Sequence, residues 1–218
     1  MPDLKLTILP PSQQCLWQEL KNTPNNFVLY GGTAIALRLG HRQSEDFDFF
    51  SNEQFEPSAL LSILSYLHGA RVDQRRNNTL TVFVDRGGPV KVSFFGDVQM
   101  ARVRDPDVAG SNGLQIASLL DLTATKLKTI QQRAEAKDYL DLAAALEAGI
   151  ELAEALGAAR AVYGNVFNAL ATLKALTYFE DGNLPSLPRR VKDLLRTIAR
   201  RTALESIPVV EAKAGIVR

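Results

Sequence analysis

Asp46 and Asp48 stand two residues apart in the run Glu-Asp-Phe-Asp-Phe-Phe. In an extended strand, residues i and i+2 share a face, so both carboxylates point the same way. Two such carboxylates repel unless a positive charge lies between them. A divalent, oxygen-loving cation satisfies that need, and Mg2+ is held in this way by one or two carboxylates together with phosphate oxygens. Fifteen residues earlier, Gly31 and Gly32 close the run Phe-Val-Leu-Tyr and precede Thr33. A glycine turn that passes from a strand to a helix can offer backbone N–H groups and a helix N-terminus to a phosphate. Thr33 is expected to cap that helix and to add a hydroxyl donor. A phosphate cradle facing a carboxylate-held metal is the arrangement that phosphoryl or nucleotidyl transfer requires. Each part alone is commonplace: Gly-Gly after a strand is usually only a turn, and Asp-x-Asp is usually solvated. Their order along the chain is what carries the reading.

The elements that must position these residues are legible in outline. Phe27 to Tyr30 reads as a buried strand, and residues 33–39 as a short helix stopped by Gly40. Residues 45–51 read as the strand of the two aspartates, and an amphipathic helix starts near Pro57. Ala70–Arg76, Thr79–Asp85 and a run beginning near Val90 read as three further strands, with Asn77-Asn78 as a tight turn between the first two. Residues 105–113 read as a loop. Beyond it the chain is rich in Ala and Leu at helical spacing, with one long helix expected from 114 to 136 and further helices near 137, 151, 166 and 185. The fold class is therefore α+β: a small mixed-sheet core over residues 1–112, followed by a helical module over 113–218.

Composition bounds the rest. The chain has 218 residues, 46% apolar and 22% charged, with a formal charge of +1, as in an ordinary globular protein with no overall field that demands a nucleic-acid or membrane surface. The single cysteine, Cys15, allows no internal disulfide and no multi-cysteine zinc site, which suits a reducing, cytoplasmic setting. The start of the chain reads as no signal peptide, and no apolar run reaches membrane-spanning length. The arginines at 189, 190, 196, 200 and 201 read as the solvated face of a last helix.

The stretch Gly31 to Phe50 resembles the first motif of the nucleotidyltransferase superfamily, specifically its AbiEii/AbiGii toxin branch. That branch pairs a Gly-Gly/Ser-Thr turn with Arg-x-Ser-x-Asp-hydrophobic-Asp, which here fall on Gly32, Thr33, Arg42, Ser44, Asp46 and Asp48. A second block, Asp121 to Leu146, is similar to the branch's lysine-containing helix and its Lys-Asp-x-x-Asp-Leu segment. The resemblance implies an Mg2+-dependent transfer of NMP from an NTP to an RNA (a tRNA included) or a protein acceptor. It also implies a toxin role with a cognate antitoxin, and an active site that the helical half completes. By the same resemblance Asp46, Asp48, Lys126 and Asp138 are the catalytic group. Gly31, Gly32, Thr33, Arg42, Ser44, Arg133, Lys137 and Asp141 are then expected around the substrate.

Lys126, Arg133 and Lys137 would share one face if their helix continued that far, and Lys137 could pair with Asp141 at i, i+4. A surface laced with ion pairs is the plain alternative. One departure stands out: the superfamily commonly supplies a third carboxylate from a later strand, where this chain has Ser93. Serine is neither a base nor a strong metal ligand at neutral pH, so Asp138 or another acid would have to substitute. The rival reading is a degenerate, non-catalytic binding module. An aspartyl phosphatase is disfavoured because Phe50 stands where a Thr or Val is wanted, and a dinucleotide-binding protein because no Gly-x-Gly-x-x-Gly follows a strand.

Overall fold

In the computed structural model, which describes residues 4–217, strand alternation sets which side chains are buried. Along β2 (Asp46–Phe50), Phe47 and Phe49 are buried while Asp46, Asp48 and Phe50 are half-buried. The same alternation runs through β4 (Thr79–Asp85) and β5 (Pro89–Phe95), so Leu80, Val82, Val92 and Phe94 join the two phenylalanines in one apolar layer. Phe49 stacks on Phe94 at 5.2 Å, and Trp17 of α1 (Pro11–Trp17) lies 6.2 Å from Phe47. Burying a large apolar side chain contributes about 1.5–3 kcal/mol, and a one-residue slip would turn this whole layer to the opposite face.

The chain divides into two units. The first comprises residues up to 100, 105–118 and from 215; the second comprises 101–104 and 119–214. The first contains a seven-stranded mixed sheet in the order β3-β4-β5-β2-β1-β7-β6. Here β1 is Val28–Tyr30, β3 Arg71–Arg76, β6 Asp107–Val108 and β7 Gln115–Ile116. β1 runs antiparallel to β2, and β2 parallel to β5. The helix α2 (Gly31–Leu39) leaves the end of β1 directly and stops at Gly40, whose φ of 65° is the left-handed conformation of a helix C-cap. α3 spans Pro57–Ile63.

The region read as a loop holds the β6–β7 hairpin, with Asp107 opposite Ile116. Strands of two residues are too short to show alternation in a sequence; both lie in the first unit, within its segment 105–118. The expected long helix also begins later and ends sooner: α4 is Leu119–Thr129, and α5 starts only at Ala136 and runs to Glu147. The break is imposed by tertiary contacts. Asn183 Oδ1 accepts the Ala136 N–H at 2.6 Å, and Gln131 donates to the Asn168 carbonyl and the Thr172 hydroxyl. α6 (Leu152–Tyr163), α7 (Ala169–Ala175) and α8 (Arg189–Arg201) complete the second unit around a core that includes Leu127, Leu142, Leu156, Phe179 and Leu195. Among the described residues no helix is long and apolar enough to cross a membrane.

Candidate active site

β1 and β2 bring the glycine turn and the aspartates together. Tyr30, the last residue of β1, lies opposite Asp48, so the chain enters α2 beside that carboxylate. Gly31 has φ +76°, and a Cβ built there would sit 2.6 Å from Asp48 Oδ2. Of the two glycines, Gly31 is therefore the one that needs both a left-handed backbone and an absent side chain. Gly32 lies within the helical turn that follows.

Thr33 takes a different place from the one expected. α2 starts at Gly31, with Tyr30 in the cap position and no side-chain cap hydrogen bond. Thr33 is fully buried, and its hydroxyl donates to the Asp46 carbonyl at 2.5 Å. It pins the helix to β2 and has no hydroxyl to spare for a phosphate, while the first turn of α2 has no side-chain cap among the described residues. Arg42 and Ser44 lie in the connection between α2 and β2, where the Arg42 guanidinium donates to the Gln43 carbonyl at 2.8 Å.

The parallel pairing of β2 with β5 fixes what stands beside each aspartate. Ser93 lies opposite Asp48 and Lys91 opposite Asp46. Ser93 is 2% exposed and accepts a long hydrogen bond from Thr81 at 3.4 Å, so it sits as a small neutral neighbour of Asp48. Lys91 Nζ is 3.9 Å from Asp46 Oδ2; both side chains are more than a third exposed, so the pair adds little stability. Lys91 was overlooked in the sequence, although it stands two residues before Ser93 and the strand period puts both on one face. Among the described residues no three His, Cys, Asp or Glu side chains gather into a cage for a metal. The donors present are two hard carboxylates on an open sheet face, which suits a Mg2+ whose shell is completed by substrate phosphates and water, and not a closed protein cage.

The second unit gathers four of the anticipated residues into one cluster. Lys126 Nζ lies 2.7 Å from Asp138 Oδ1 and 2.7 Å from Asp141 Oδ2, with both carboxylates fully buried. Arg133 donates from Nε to Asp138 Oδ2 at 2.8 Å. Burial alone would push the Asp138 carboxyl up; the Arg133 hydrogen bond and the Lys126 ammonium outweigh it and hold the group below the usual carboxylate range. Beside it the Tyr139 phenol is pushed up to about 12, first by burial and then by the charge of Asp138. Lys137 stays outside the cluster: it reaches Glu135 at 3.0 Å, not Asp141. Because the helix breaks after Thr129, Lys126, Arg133 and Lys137 share no common helical face.

A family model described as nucleotidyl transferase AbiEii toxin, type IV TA system, matches residues 15–208. The chain belongs to the AbiEii nucleotidyltransferase toxin family. An uncharacterized protein of Aquifex aeolicus (strain VF5) is 32% identical over 160 residues, 72% of this chain and 75% of that relative. The fold is similar to that of MenT4, a nucleotidyltransferase toxin from Mycobacterium tuberculosis H37Rv, with a TM-score of 0.59 at 18% identity over 89% of this chain and 84% of that one. It is also similar to an H. pylori protein classed as a nucleotidyltransferase, with a TM-score of 0.54 at 16% identity over 87% and 92% of the two chains. Family and fold together are those of a nucleotidyltransferase enzyme.

Proposed function

We propose that this AbiEii-family chain transfers an NMP from an NTP to a hydroxyl of an RNA acceptor, a tRNA among the candidates, using Mg2+ held by Asp46 and Asp48. The observation that carries the reading is the pair of half-buried carboxylates on one sheet face, with the Gly31 backbone packed against Asp48 where no side chain fits. When bound, the cation neutralises charge on the transferring phosphoryl group and orients it. Asp46 and Asp48 supply its two protein ligands. The uncapped first turn of α2, entered through Gly31 and Gly32, offers amide N–H groups to the triphosphate. Thr33 acts indirectly by tying α2 to β2. Arg42 and Ser44 are proposed near the same substrate on the motif they share with the family.

In the reaction the acceptor oxygen forms a bond to the α-phosphorus and the α–β phosphoanhydride bond breaks. The bonding pair departs with pyrophosphate, and the acceptor proton passes to water. Ser93 cannot take that proton, and Asp138 has both oxygens engaged by Lys126 and Arg133, which supports a role in orienting Lys126 over a role as base. Lys126 is proposed as the phosphate-contacting lysine of the family's second block, with Asp141 as its other anchor and with Arg133 and Lys137 around it. A cognate antitoxin is the proposed protein partner, on the family's toxin–antitoxin description.

The deciding experiment incubates the protein with each labelled NTP, Mg2+ and total cell RNA, and follows label into RNA, protein and pyrophosphate. Label is expected in RNA, lost on chelation and in Asp46→Asn and Asp48→Asn, each of which removes a metal ligand at a cost of several kcal/mol of transition-state stabilisation. Label in protein alone would replace the acceptor. No label in any fraction, with NTP affinity unchanged by Mg2+, would favour the degenerate binding module.

A further inference from the structure

The register of the first unit's sheet builds a row that runs away from Asp46. Lys91 lies opposite Asp46, Phe83 opposite Lys91, and Arg71 opposite Phe83. Cross-strand partners share a face, so all four belong to the face of the aspartates. The row two rungs along ends at Arg76, opposite Thr79. The Arg71 guanidinium lies 4.2 Å from the centroid of the Phe83 ring, within cation–π range, and its side chain is 67% exposed. Its carboxylate neighbour, Asp73, is 3.6 Å away and itself exposed, so that pair is weak. Arg76 makes no side-chain hydrogen bond or ion pair among the described residues.

β3 is the edge strand, and five of its six residues are exposed. Charged edge strands guard against edge-to-edge pairing, and that alone would account for arginines there. It does not account for a half-buried aromatic ring on the face of the aspartates with an arginine over it, in register with Asp46. Phe83 holds the Arg71 guanidinium against its ring while the side chain stays two-thirds exposed, which leaves it open to a base or to a phosphate.

We propose that the Arg71–Phe83 pair and Arg76 form the track for a single-stranded nucleic-acid acceptor, whose terminal hydroxyl is delivered to Asp46 and Asp48. The proposal rests on the nucleotidyl-transfer reading and extends it by naming where the acceptor lies. Three strand spacings of about 4.8 Å separate the backbone at Asp46 from that at Arg71, about 14 Å in all. The contact therefore falls on nucleotides upstream of the reacting end, and not on the transferring phosphate. An acidic peptide would satisfy the arginines but has no flat ring for the Arg71–Phe83 stack; a nucleic acid supplies phosphate and base together.

The test measures binding of a fluorescent oligo-uridine RNA to the full chain by anisotropy across a salt series. Each phosphate contact on a single strand contributes about 0.7 to the slope of log affinity against log salt, so Arg71→Gln with Arg76→Gln should lower the slope by about 1.4. Phe83→Leu should weaken binding with little change of slope. Mg2+-NTP affinity, followed by calorimetry, should be unchanged in both. Arg189→Gln with Arg190→Gln, at exposed positions on α8, should leave the slope as it is. The track is refuted if wild-type protein binds no RNA, if the Arg71/Arg76 variant keeps the full slope, or if the same variants instead lose a preferred poly-glutamate ligand. RNA binding through these residues without any nucleotide transfer would retain the track and refute the transfer, so the two failures read apart.

Discussion

Gly31→Ala strikes the point where the backbone meets Asp48, a carboxylate proposed as catalytic, and its two costs can be separated. The first is conformational: φ is +76°, and placing an L-residue in the left-handed region costs about 1–2 kcal/mol. For a chain of this size that corresponds to a fall in Tm of about 2–4 °C per kcal/mol. The second is steric. The new Cβ would meet Asp48 Oδ2 at 2.6 Å, whereas ordinary contact begins at 3.4 Å, so one of them must give by 3.4 − 2.6 = 0.8 Å. If Asp48 yields, it leaves the position proposed for sharing a cation with Asp46, and a misplacement near 1 Å at a reacting centre costs about 100-fold in rate.

Gly69→Ala is the matched control. Gly69 has the same φ of +76°, with nothing within 4 Å of its would-be Cβ, so it bears the strain without the clash. The two variants should melt within a few degrees of each other. Nucleotide transfer, followed as pyrophosphate release, should fall about 100-fold in Gly31→Ala and stay near wild type in Gly69→Ala. Equal activity in both variants would refute the link between the Gly31 approach and the metal site.

Four further outcomes follow from the buried groups. Lys126→Met removes the ammonium shared by two fully buried carboxylates and should destabilise the second unit by about 3–5 kcal/mol, read by urea unfolding; a change below 1 kcal/mol would mean that the cluster is not buried as described. Asp138 titrates lower folded than unfolded, so the unfolded chain binds more protons in acid, and stability should be present above about pH 4 and fall as pH drops below it. Asp138→Asn should flatten that acid limb of the melting profile. Tyr139 is displaced the other way, to about 12, so its contribution is full below the ordinary tyrosine value and is lost as pH rises toward 12; Tyr139→Phe, which keeps the ring 5.9 Å from Phe179, should remove the alkaline loss. Gln13 is 1% exposed with neither amide atom hydrogen-bonded among the described residues, so Gln13→Leu should raise stability by about 1–3 kcal/mol, and a lowered Tm would count against it.

What was legible in the sequence divides along the range of the interactions involved. The shared face of Asp46 and Asp48 follows from a period of two, and the stop at Gly40 from one residue's conformational freedom; both are local, and the structure has them in place. Lys91 obeys the same period relative to Ser93, so its place beside Asp46 was readable once the parallel pairing of β2 and β5 was assumed. The choice between Gly31 and Gly32 was not readable, because it depends on Asp48 arriving from another strand. The same holds for Thr33, whose hydroxyl is claimed by a carbonyl thirteen residues away.

The Lys126 cluster marks the limit most sharply. Helical spacing put Lys126, Arg133 and Lys137 on one stripe, but Asn183 and Asn168, which help to end that stripe, lie on later parts of the chain. Breaking the helix turns an apparent surface stripe into convergence: Lys126 and Arg133 meet at one carboxylate, and Lys137 is left to an exposed pair with Glu135. A row of like charges spaced for solvent thereby becomes a buried, charge-balanced knot. Such a knot fixes the direction of a lysine, which the phosphate contact proposed for Lys126 would need and which a freely moving surface lysine lacks.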